Sequence, residues 1–87
     1  MTHLNHYEIW LYLVLRMHTV KFSTFDINDE FIANIDYTEE DSRYVGIIYI
    51  TSKVAQGVVC MAEFDEYFLD YDDMIEWSKR YIKRNLL

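Results

Sequence analysis

The chain has 87 residues and carries 15 Asp and Glu against 8 Lys and Arg, a formal net charge of −7. A domain of this length buries only about 60–65% of its unfolded surface, which excludes a two-domain enzyme with an interdomain cleft. With 52% hydrophobic and 17% aromatic residues it is too apolar for a disordered acidic tail, and it lacks the basic footprint that direct binding to DNA, RNA or an anionic membrane requires. A lone cysteine, Cys60, makes no intramolecular disulfide and fits a reducing cytoplasm. The apolar run from Ile9 is far short of the roughly 20 residues that span a bilayer, and no basic region or cleavage site marks a signal peptide.

With no Pro and only two Gly, the chain has no material for a linker or repeat and reads as one continuous domain over residues 1–87. Asn5 and Glu8 form a capping-box variant that predicts a helix over residues 6–17. Its apolar positions cover most of the circumference and leave only Glu8, Tyr12 and Arg16 as a polar strip. Such a helix is either sandwiched or at a subunit interface, and Trp10, Leu11 and Leu15 are the candidate contacts of a homodimer.

From Thr19 the period changes to two, with Val20, Phe22 and Thr24 alternating with Lys21, Ser23 and Phe25. Asp26-Ile27-Asn28-Asp29 turns this first strand into a second, whose apolar face is Phe31, Ala33, Ile35 and Tyr37. Residues 38–42 are a polar break. Residues 44–51 and 58–64 are rich in β-branched and aromatic side chains, and the loop over 52–57 reads as a hairpin in which Gly57 supplies a positive φ. Short connections favour an antiparallel meander over parallel crossovers. Asp70 then caps a final helix with acids in its first turns and Lys79, Arg80, Lys83 and Arg84 in its last, following the helix dipole. Met74, Trp77, Ser78, Tyr81 and Ile82 form the stripe that packs on the sheet, with Trp77 expected in the core. The expected fold is α+β: a short antiparallel four-stranded meander packed against an N-terminal and a C-terminal helix.

Catalytic chemistry has little to stand on. His3, His6 and His18 match no compact zinc spacing. Cys60, between Val59 and Met61, reads as a small buried thiol with no basic neighbour to activate it. Asp70-Tyr71-Asp72-Asp73 lacks the glycine and the downstream glutamate of a calcium loop and is better explained by capping. No P-loop, G-x-S-x-G or H-E-x-x-H occurs, so neither an enzyme nor a cofactor or metal is expected.

Charge distribution carries more. Fourteen of the acids lie in two windows without a single base, residues 26–41 and 63–76. In a meander the end of the fourth strand emerges beside the turn after the second, so Glu39, Glu40 and Asp41 are expected to converge with Glu63, Asp65, Glu66 and the Asp70-Asp72-Asp73 cap, and Glu76 joins them as a candidate partner-binding residue. One explanation is a solvated surface that keeps a Tyr- and Leu-rich chain soluble. The other is a docking surface for the basic groove of a nucleic-acid-binding protein, where acids about 6–7 Å apart stand in for phosphates and Tyr67 and its aromatic neighbours anchor the contact.

The stretch Thr19-Val20-Lys21-Phe22-Ser23 followed by Asp26, and the acidic start of the last helix, resemble small acidic phage-encoded inhibitors of the anti-CRISPR and DNA-mimic type. The resemblance implies a basic nucleic-acid-binding partner, such as a CRISPR effector, met in the cytoplasm of the host cell. It carries over no individual functional residue, because the acids cluster at other positions and the fourth strand stands where that family has helix. Two other classes stay open from the residues: an immunity or antitoxin protein against a basic nuclease, and a homodimeric regulatory or structural module joined through the first helix.

Overall fold

The computed structural model describes residues 9, 19–55 and 57–87. Strands β1 (Lys21–Asp26), β2 (Phe31–Glu40), β3 (Arg43–Ser52) and β4 (Val58–Tyr67) form one antiparallel sheet in the order β1-β2-β3-β4. Helix α1 (Tyr71–Tyr81) follows and runs into a π-helical turn, Ile82–Leu86. The expected meander and C-terminal helix are therefore present. The helix expected over residues 6–17, with Asn5 as its cap and Trp10, Leu11 and Leu15 as its interface, lies outside the described residues. Ile9 alone is described there, helical and 1% exposed. His3, His6 and His18 also lie outside them.

Period-two alternation sends every second side chain toward α1. The register aligns Phe25 with Ala33 and Ile50, Ser23 with Ile35 and Ile48, and Tyr37 with Gly46 and Phe64. These rows supply most of the core beneath α1, completed by Tyr44, Phe68, Met74 and Ile82. In β1 the inward residues are thus Ser23 and Phe25, and Phe22 is left 73% exposed on the edge strand. The opposite face is buried too near the β2–β3 hairpin, along the cross-strand row Thr38, Val45, Asp65.

Two of the three hairpins, β2–β3 and β3–β4, differ from expectation. β2 runs on through Thr38 and Glu39 to Glu40, which pairs with Arg43, so the polar break shrinks to Asp41 and Ser42. Their φ angles of 53° and 68° make a two-residue turn of the type I′ kind, whose twist matches the flanking strands. Gly57 has no positive φ. In that loop Ser52 does the work expected of glycine: its Oγ accepts from the N–H groups of Val54 and Ala55, and its N–H donates to the Gly57 carbonyl. Gly46 is the glycine that matters. A Cβ there would collide with the Asp36 carbonyl and lie 2.8 Å from the Tyr37 Cβ and 2.9 Å from the Phe64 ring.

Helix α1 starts as its local sequence requires. Asp70 is extended and accepts from the Asp73 N–H at 2.9 Å, while the Asp73 carboxylate accepts from the Leu69 N–H at 3.1 Å. Its inward stripe is Met74, Ser78 and Ile82, and the buried Ser78 hydroxyl donates to the Met74 carbonyl. Trp77 is half-buried on the flank of the core and not within it. It packs on Phe64, Phe68 and Tyr81 with ring centroids 5.7, 5.4 and 5.1 Å away. A large ring one position off the stripe covers the sheet edge, where there is room for it.

Candidate functional site

The strands separate the acids along their length. Asp26, Asp29 and Glu30 sit at the β1–β2 turn, and Glu39, Glu40 and Asp41 close the β2–β3 hairpin at the other end, so the first acidic window is split. β4 finishes at the hairpin end. Tyr67 pairs with Arg43, Glu66 pairs with Tyr44, and the Phe68 N–H donates to the Ser42 carbonyl at 2.9 Å. Tyr44 shows that the two windows meet. Burial raises the pKa of its phenol first, and then Glu39 from one window and Asp70 and Asp73 from the other raise it further. Tyr37 is raised in the same way, by burial and then by Tyr71, Tyr44 and Glu39. The two rings stack at 5.9 Å, and Tyr71 joins them at 6.4 Å while its hydroxyl hydrogen-bonds Ser23.

Within this end, the acids differ in what they are free to do. Asp65 is 1% exposed and bound in bidentate fashion by Arg43, so it is a structural anion and not a display charge. Its alternate position in β4 turns it onto the sheet face opposite α1, whereas Glu66 takes the α1 side. Arg43 also corrects the reading of a base-free surface, since the fold inserts it between the windows. Glu39 lies 3.9 Å from Lys21 and Glu76 lies 3.5 Å from Lys79 across exposed pairs, which contribute little and leave both carboxylates accessible. Asp70 and Asp73 are committed to the helix start. Glu63 is half-buried on the Asp65 face, away from Glu66. Asp41 and Asp72 are exposed, one on the hairpin turn and the other in the first turn of α1.

Apolar anchors accompany these charges. Tyr67 is 61% exposed, Tyr71 44% and Leu69 90%. Leu69 escapes sequence reasoning, because an apolar residue directly before an N-cap ordinarily packs on the fourth residue of the helix, here Met74, and Leu69 instead stands open to solvent. The far end is mixed in sign, because Asp26, Asp29 and Glu30 sit there among lysines. There Lys53 pairs with Asp26 at 3.3 Å, and Asp26, Lys79 and Lys83 line a cleft of about 390 Å³ with Phe25, Ile27, Asn28, Ile82 and Leu87. α1 therefore runs from the end where the two acidic windows meet, with Asp72 and Asp73 in its first turn, to an end where acids and lysines are interspersed, with Lys79 and Arg80 in its last turn.

No group of three or more His, Cys, Asp or Glu among the described residues is arranged to hold a metal ion. Cys60 is half-buried, its Sγ 3.8 Å from the Leu86 carbonyl. No helix among the described residues is long and apolar enough to cross a membrane.

A protein-family model described as a family of unknown function, DUF5487, matches residues 20–85. The chain belongs to this family. It is also 97% identical over 68 residues to a protein of Enterobacteria phage T4 called "Uncharacterized 8.2 kDa protein in Gp46-Gp47 intergenic region", a match that spans 78% of this chain and 100% of that protein. No solved structure matches. The kinship with phage proteins expected from the sequence is present. All four strands, α1 and the acidic end fall inside residues 20–85, the span that the family model matches.

Proposed function

We propose that this DUF5487 protein is a small phage inhibitor that acts in the cytoplasm of the host cell, docking its acidic end on the basic groove of a nucleic-acid-binding protein and excluding the nucleic acid. A CRISPR effector is one partner of this kind. The observation that carries the reading is the meeting of two separate acidic windows around Tyr44, beside exposed Tyr67 and Leu69. Asp65, Asp70 and Asp73 serve the fold, but Glu39, Asp41, Glu66 and Asp72 gathered beside them repel one another, while apolar side chains beside them are costly to leave in water unless something covers them. A partner rich in Arg and Lys relieves both at once: long-range attraction steers the encounter, and the aromatic and leucine anchors hold it.

The test uses the purified protein immobilised against an enterobacterial lysate, with capture measured as salt or duplex DNA is added. Asp41→Asn with Asp72→Lys is the control variant. Asparagine tolerates the positive φ of residue 41, and Asp72 makes neither of the two cap hydrogen bonds, so the fold is retained. Capture of a basic nucleic-acid-binding protein that DNA displaces, salt weakens and the double variant loses supports the reading. Capture indifferent to DNA, salt and the double variant overturns it.

A further inference from the structure

We infer that the groove between the open edge of β4 and the flank of α1 is a receptor for an arginine side chain. The groove has a volume of about 320 Å³ and is lined by Glu63, Phe64, Asp65, Glu66, Trp77 and Tyr81. Its aromatic wall is preformed. Trp77 and Tyr81 lie 5.1 Å apart with their planes only 25° from parallel, and Phe64, itself 4% exposed, packs on Trp77 at 5.7 Å. Neither ring of the wall belongs to the buried core, and both remain partly open to solvent.

The chemistry selects the occupant. A π-face attracts a cation, and Glu66, on the same side of β4 as Phe64 by register, brings a carboxylate to the rim. A flat aromatic wall with a carboxylate beside it suits a planar guanidinium, which stacks and forks at the same time, better than a compact, strongly hydrated ammonium. The two lining carboxylates of Glu63 and Asp65 point to the other face of the strand, and Asp65 is held by Arg43, so the rim charge on the aromatic side is that of Glu66. β4 is also an edge strand with no neighbour beyond it among the described residues, which leaves the groove open along one side to an extended segment. The source of the arginine rests on the reading above, in which the partner's surface is basic; the groove is a separate contact from Asp41 and Asp72.

The probe is an acetylated, amidated pentapeptide Gly-Val-Arg-Val-Gly, titrated against the isotope-labelled protein while the indole N–H signal of Trp77 is followed, with the citrulline peptide as its neutral isostere. Saturable movement of that signal by the arginine peptide, at least about tenfold weaker binding of the citrulline peptide and about fivefold weaker binding by Glu66→Gln are expected. Tyr81→Leu, which keeps an apolar cover but removes a π-face, should weaken binding as well. Equal binding of both peptides, or no saturable movement up to about 10 mM, overturns the inference. The two readings fail separately. Arginine-selective binding together with DNA-insensitive capture leaves the groove standing and removes the nucleic-acid-binding partner. DNA-displaceable capture that Glu66→Gln and Tyr81→Leu leave unchanged, with no arginine-selective shift, removes the groove alone.

Discussion

Arg43 and Asp65 form a two-pronged pair, Nε to Oδ1 at 2.8 Å and Nη2 to Oδ2 at 2.7 Å, with the carboxylate 1% exposed on the face of the sheet away from α1. An acid in the middle of an acidic window is thereby taken out of the surface field and made part of the fold. Removing the arginine leaves a buried carboxylate without its charge partner. Arg43→Met is therefore expected to cost about 2–4 kcal/mol, somewhat below the full cost of breaking a buried pair because a third of the arginine side chain is open to water. Urea denaturation of the variant checks this. A midpoint equal to that of the parent protein would show that the pair is not holding β3 to β4.

The type I′ turn carries two non-glycine residues at positive φ. Ser42, at 68°, has no special tolerance for that region, whereas glycine does. Ser42→Gly is expected to stabilise the protein by about 0.5–1 kcal/mol, since the relief of strain outweighs the extra freedom of the unfolded chain. The contrast with Gly57→Ala, where φ is not positive and a Cβ would meet nothing within 4 Å, tests whether position or composition matters. The alanine variant should be neutral to slightly stabilising in thermal melts.

Tyr37, Tyr44 and Tyr49 all have phenol pKa values raised above the ordinary value of 10.0, first by burial and then by neighbouring acids and tyrosines, including Asp36 beside Tyr49. Unfolded phenols lose their protons near pH 10, before the folded ones do, so the protonated rings favour the native state fully below that pH. Stability should hold below about pH 10 and fall as pH rises through and beyond it. Urea midpoints across the alkaline range, compared between the parent protein and Tyr44→Phe, measure it. The phenylalanine variant should lose less stability per pH unit, and two parallel profiles would show that Tyr44 is not one of the groups responsible.

Two side chains of α1 are expected to rank in a definite order. Asp70→Ala removes one cap hydrogen bond and should cost about 1 kcal/mol. Met74→Ala opens a cavity at a position with no exposure and should cost about 2–5 kcal/mol. If chemical denaturation gave the cap variant the lower midpoint, α1 would be held by its start and not by its packing.

Asp70 was legible because a cap is a local device: its carboxylate reaches an N–H three residues on, and no distant residue takes part. The strand order was legible for a similar reason, since connections this short leave antiparallel neighbours as the economical topology, and that order alone implied that the ends of β2 and β4 meet. The Asp41-Ser42 turn was not legible, because Thr38 to Ser42 reads as a uniformly polar run and only pairing with β3 decides how much of it is strand.

The sequence by itself therefore determined the four strands, the capped C-terminal helix and the end of the sheet at which acids gather. Which acids face outward was decided by the tertiary structure. In Glu63-Phe64-Asp65-Glu66 a period of two sorts side chains into alternate sets without saying which set meets the helix, and both sets contain acids. Only the packing of Phe64 beneath α1, and the arginine that β3 brings within 3 Å of Asp65, settles that one carboxylate is buried and paired while Glu66 faces the aromatic groove.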